Sequence, residues 1–242
     1  MRIIATTIIS LTLALASSVH AQTNKPSHEE MYQRLTALAA KGDPEIKYNL
    51  GMFLNNGIGT KRDQKAAFAQ FSEAAAAGNA LAAYKVGCYY AGQFPGAVDP
   101  DDNLAYKFKL IAGFCGNDLA QTDVALMLAK RGDLPAAANW WERASRQGNN
   151  SATAFLAGYY AGKLSPDKTK GLGLLLKLRE TVPKLPKNVE ELLATAEAKA
   201  TPEDRAAAEK IKTSWVVERT PITNTARLGI AAVPPLLERN ER

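Results

Sequence analysis

The sequence predicts an all-α fold: a right-handed α-solenoid of about four helix hairpins from Ser27 to Thr181, followed by a C-terminal helical cap. Three observations carry the prediction. First, four segments align on one glycine column, Gly42, Gly78, Gly116 and Gly148, at spacings of 36, 38 and 32 residues. Periods in this range mark stacked supersecondary units. Second, small residues recur where two helices must touch. Gly51, Gly87, Ala125 and Ala157 follow the column glycines, each beside a bulky Leu50, Val86, Val124 or Leu156, while Ala74, Ala112 and Ala144 precede them. Third, residues suited to helix starts stand where helices should begin.

The elements follow in chain order. Residues 1–21 read as a secretory signal peptide, with Arg2, an almost uncharged apolar stretch from Ile3 to Val19, and a small-residue cleavage site ending at Ala21. Ser27 with Glu30 forms a capping box for a first helix at about 28 to 41. Asp63, Asp101 and Asp133 mark second-helix starts, and Ser165-Pro166 supplies a further cap with a first-turn proline. The column glycines end helices by taking the left-handed conformation that other residues resist. Contact across the hairpins is expected at Gly87 and Ala112. The repeats occupy 22–182. Residues 183–242 form a capping region, with a helix from Asn188 to Ala198, another from Thr201 to about Val217, and a last one over 223–239 interrupted at Pro234-Pro235. Its apolar Ile211, Trp215, Val216, Leu228, Ile230, Val233 and Leu236 should close the open end of the solenoid.

Composition narrows the function. With 46% hydrophobic and 22% charged residues the chain folds, and wholesale disorder or a polytopic membrane protein is excluded. His28 is the one imidazole beyond the leader, and it reads as an exposed helical residue rather than a general base. No CxxC, HExxH or calcium-loop register is present, so neither a metal site nor a cofactor is expected, and no catalytic residue is assigned. Gly51, Gly57 and Gly59 follow no strand, which removes a phosphate-cradling loop. Export permits a bridge between Cys88 and Cys115, with two free thiols as the alternative. Most of the net charge of +6 gathers around 163–187, where Lys163, Lys168, Lys170, Lys177, Arg179, Lys184 and Lys187 outnumber Asp167 and Glu180. That segment is a solvated helix face or a weak contact for acidic surfaces. Nucleic acid is disfavoured, since no reading motif is present.

The stretch IKYNLGMFLNNGIGTKRDQKAAFAQFSEAAAAGN resembles a unit of the Sel-one-like repeat (SLR) family, a relative of the tetratricopeptide repeat. YKVGCYYAG, AAANWWERASRQGN and ATAFLAGYYAG continue the resemblance over roughly residues 30 to 180. It implies a scaffold whose first helices line a concave surface. Positions three before, one after and four after the small residue then face inward: Tyr48, Met52, Asn55, Tyr84, Cys88, Thr122 and Leu126. Tyr48, Met52, Asn55, Tyr84 and Leu126 are the expected contacts for another exported protein or peptide, unless the Tyr and Met side chains merely pack between repeats. The resemblance further implies, as alternatives, a periplasmic immunity protein against a secreted toxin and a hydrolase of cell-wall amides or β-lactams. The regular cysteine pairs of the hydrolytic relatives are missing. The expected compartment is the periplasm of a Gram-negative cell, or otherwise the exterior.

Overall fold

A computed structural model describes residues 25–162 and 167–242. The expected signal peptide and Ser165-Pro166 lie outside the described residues. Helix α1 (His28–Ala39) precedes four hairpins: α2 (Pro44–Asn56) with α3 (Gln64–Ala76), α4 (Ala80–Tyr90) with α5 (Asp102–Phe114), α6 (Asp118–Lys130) with α7 (Leu134–Arg146), and α8 (Asn150–Ala161) with α9 (Lys168–Thr181). Then come α10 (Lys187–Lys199), α11 (Pro202–Ser214), α12 (Pro221–Leu228), a 3-10 turn (Gly229–Ala232) and α13 (Val233–Glu241). From α1 to α9 each helix packs on the next, and α10 and α11 both pack on α9. The described residues contain no strand, and the all-α solenoid read from the repeats is what forms.

Local chemistry explains the boundaries. Asp63, Asp101 and Asp133 accept backbone N–H bonds from Ala66, Leu104 and Ala136, satisfying donors that a helix start leaves open. Asp167 does the same for α9, through Lys170. The column glycines take φ values of 87°, 90°, 94° and 80°, where a Cβ would be strained. Ser27 accepts from Glu30 N at 3.1 Å, while the Glu30 carboxylate turns to Arg34 at 3.5 Å instead of completing the box.

Close approach within the hairpins rests on the small residues. A Cβ on Gly51 would stand 2.7 Å from Cε1 of the buried Phe71 on α3. On Gly87 it would meet Lys109 Cγ at 2.7 Å and Ala105 O at 3.1 Å, so the expected Gly87–Ala112 contact is corrected. In an antiparallel hairpin the last turn of α4 lies beside the first turns of α5; Ala112, at the far end of α5, packs with Ala83 and Ala120. The space left by Gly87 lets the buried Lys109 stem cross to Asp123, 2.7 Å away.

The core divides in two. Leu35, Ile46, Phe53, Phe71 and Tyr89 lead the N-terminal half, whereas Trp141, Leu156, Leu174 and Leu175 lead the C-terminal half. Between them lies a thin junction of Ala83, Ala112 and Ala120. The half-buried rings of Tyr84 and Phe108 pack against it, and the Lys109–Asp123 ion pair lies alongside.

The C-terminal region does more than close the end nearest to it. Trp215, 5% exposed, seals the C-terminal half, and the chain then turns back along the row of column glycines as a strap. The place of a Gly148 Cβ is 2.9 Å from Val217, and that of a Gly116 Cβ 2.8 Å from Thr220. Further on, α13 reaches α1 and buries Val233, Leu236 and Leu237 in the N-terminal core. Arg34–Glu241 at 2.6 Å and Arg239–Glu45 at 2.7 Å fasten its end. Val216, Leu228 and Ile230, expected in the cap interior, are instead 57%, 57% and 39% exposed. The break in the last helix falls at Gly229 (φ 54°) and not at Pro234-Pro235, because prolines in a first turn lack only an N–H that no helical carbonyl would accept.

Candidate protein-binding surface

The residues of the first-helix row have three different fates. Tyr48 and Met52 on α2 are half-buried and line a cavity, and Leu126 on α6 is 39% exposed. Asn55 is buried, its carboxamide oxygen accepting from Tyr89 Oη at 2.7 Å, so it supports the core from within. Tyr84 joins the Lys109–Asp123 pair, sharing hydrogen bonds with Cys88 and Asp123; burial, then the neighbouring Cys88 and Asp123, push its phenol strongly upward. Cys88 and Thr122 are buried. Burial alone raises Tyr48 to about 12, in keeping with a ring set among apolar walls.

The cavity beside Tyr48 holds about 610 Å³, within the range of about 300–1,000 Å³ usual for ligand sites. Its walls come from distant parts of the chain: Tyr48, Met52 and Leu81 on one side, Ile222, Ile230 and Val233 of the strap on the other. A polar network, buried at Asp118 and Thr223, fixes the strap at the cavity edge. Thr220 donates to Gly116 O at 2.8 Å, Asp118 N–H donates to Thr223 Oγ1 at 3.2 Å, and the Arg227 guanidinium pairs with the Asp118 carboxylate at 3.0 Å. Asn149 adds a bond to the same carboxylate at 3.3 Å.

A second hollow of about 580 Å³ lies where α8, α9 and α10 meet, lined by Phe155, Gly158, Leu178, Val182, Leu185 and Leu192. Ala154 and Gly158 hold the row's register in the fourth hairpin, and the same register applied to Ala157 would have located them. Their small size hid them. Asp118 and Arg227 carry no local signal of any kind, since their pairing spans 109 residues.

The basic stretch is largely matched by acids. Lys170 meets Glu142 at 2.9 Å, Arg179 meets Glu197 at 2.9 Å, and Lys177 and Lys187 lie 3.8 Å from Glu180 and Glu191. Lys163 lies outside the described residues. Cys88 and Cys115 are both free, the first buried and the second exposed. Among the described residues no group of three or more His, Cys, Asp or Glu side chains could hold a metal ion, and no helix is long and apolar enough to cross a membrane.

Comparison with known proteins agrees with this architecture. The chain is similar in structure to a Sel1 repeat protein from Oxalobacter formigenes, with a TM-score of 0.62 and 24% identity over 70% of this chain and 49% of that one. It is also similar to a protective antigen of uropathogenic Escherichia coli displaying an SLR fold, with a TM-score of 0.50 and 17% identity over 80% of this chain and 50% of that one. The chain thus spans about half the length of these two proteins. No curated protein matches it in sequence. The Sel1 repeat model matches residues 45–79, 80–108, 120–149 and 151–179, each one a first helix with all or part of its second, and together half of the chain. By that match, and by the hairpins that realise it, the chain belongs to the Sel1 repeat family.

Proposed function

We propose that the chain is an exported, non-enzymatic scaffold that binds another protein through the first-helix row. One observation carries the reading: the row opens into an apolar hollow at each end, beside Tyr48 and Met52 and beside Phe155 and Gly158, with the exposed Leu126 on a helix between them. Spaced apolar hollows on a rigid repeat array suit an extended segment that offers apolar side chains at intervals. Asn55 serves this surface from beneath, while the half-buried Tyr84 ties α4 to Asp123 of α6.

Affinity capture from the native cell envelope tests the proposal. A partner retained by the wild type should be lost with Leu126→Glu and Phe155→Glu, each shown by its melt to stay folded because the Phe155 ring stacks on the buried Trp141 at 5.5 Å, and kept with Lys61→Glu. Equal capture by all three variants would remove the row from the proposal. A toxin as the captured partner would specialise the role to immunity. Turnover of a β-lactam by the purified protein, abolished by a point substitution in a folded variant, would overturn the non-enzymatic reading.

A further inference from the structure

Between the buried Trp215 and the buried Val233, Thr223 is the one buried residue of the strap. Both ends are therefore plugged into core, while the middle is held by polar bonds and bridges an apolar cavity of about 610 Å³. Each end of α12 has a joint. Residues 215–220 carry no helix, and Gly229, with φ 54° and ψ −130°, occupies a conformation open essentially to glycine alone. A segment with few buried contacts and a hinge at each end opens at a free-energy cost well below that of global unfolding.

We propose that α12 is a hinged lid over the Tyr48–Met52 cavity, that the Arg227–Asp118 ion pair is its latch, and that the opened cavity receives an apolar side chain of the protein partner. The proposal rests on the scaffold reading above for its occupant, and on the geometry of this chain alone for the lid and latch. The two sides of the latch are unequal. Asp118 is 4% exposed at its side chain and Arg227 is 47% exposed, so the cation can swing into water while the carboxylate stays beneath the lid. Loss of the arginine leaves a desolvated carboxylate with Asn149 and Thr223, and lifting the lid returns that carboxylate to water. The occupant follows from the lining. Ile222 of the lid already closes one wall opposite Tyr48 and Met52, and an aliphatic or aromatic side chain from the partner would meet the same surfaces once α12 has lifted.

Hydrogen exchange on the full chain tests the lid without requiring the partner. In Arg227→Ala, amides of 221–228 should exchange about tenfold faster than in the wild type, as expected for loss of a charged hydrogen bond, while those of 202–214 and 233–241 keep their rates. Arg227→Lys should restore most of the protection. The probe 8-anilinonaphthalene-1-sulfonate should bind Arg227→Ala more tightly than wild type, and the added Met52→Glu should abolish the gain. Unchanged exchange at 221–228 would overturn the latch. Acceleration shared equally by 233–241 would overturn the lid, since the strap would then leave as one piece. A lid that opens as described while Met52→Glu captures the partner normally would refute the cavity as its receptor and leave the scaffold reading standing on Leu126 and Phe155.

Discussion

Replacing Gly51 and Gly158 by alanine, one at a time, separates the packing role of a small residue from its conformational cost. Both glycines lie inside first helices of hairpins, so alanine should favour the helix by about 0.5–1 kcal/mol at either position. Their surroundings differ. The Gly51 Cβ would lie 2.7 Å from Phe71 Cε1 and 2.8 Å from Cδ1, against a fully buried ring, whereas nothing lies within 4 Å of the Gly158 Cβ. Overpacking of a filled core costs about 1–3 kcal/mol. The helix term is common to both and cancels in the comparison, so Gly51→Ala should be less stable than Gly158→Ala by about 1–3 kcal/mol. For a chain of this size each kcal/mol moves the melting temperature by about 2–4 °C. Thermal melts followed by circular dichroism should therefore place Gly158→Ala slightly above the wild type, with Gly51→Ala several degrees below Gly158→Ala. Two variants that melt together would refute the hairpin-contact argument.

Leu237→Ala should destabilise by about 2–5 kcal/mol through the cavity it leaves, and it should act on the N-terminal core first. Trp140, Trp141 and Trp215 all belong to the C-terminal half, so the loss of helical signal should begin at a lower temperature than the change in tryptophan fluorescence; coincident transitions would contradict the divided core. Native protein should alkylate rapidly at one thiol and at both only when denatured, because Cys115 is exposed while Cys88 is buried with its thiol pushed up chiefly by that burial. For Glu142, burial alone would raise the carboxyl, but the bonds and charges of Lys170 and Arg146 outweigh it and the net shift is downward. A depressed carboxylate contributes stability that is present above its unfolded value, about 4.3, and is lost as pH falls through its lower folded value. Lys170→Met should accordingly shrink the stability difference between pH 6 and pH 3, measured by urea unfolding.

The hairpins were legible because their signals are local. A glycine at positive φ and an aspartate capping its own helix speak through neighbours three or four residues away, so the four units and the helix starts at Asp63, Asp101 and Asp133 emerge from local pattern. The candidate row was legible only by half. Register says which face of a helix Asn55 or Leu126 occupies; whether a neighbour covers that face depends on Tyr89, 34 residues away, for the first and on open space for the second. Strap contacts were beyond reach, because Thr220 and Thr223 bond to Gly116 and Asp118 across more than a hundred residues with no periodicity to announce them. Leu228 and Ile230 are as apolar as Val233 and Leu236, and only the fold divides them into exposed and buried.

Site-specific photo-crosslinking in the producing cell tests the central claim most directly. With a photoreactive phenylalanine analogue at Leu126 on the row or at Phe155 beside it, and at Lys61 as an exposed position away from both, the account predicts the same discrete protein adduct from the first two and none from Lys61. Adducts from Lys61 alone, or none from either Leu126 or Phe155 in a folded and correctly exported protein, would contradict it.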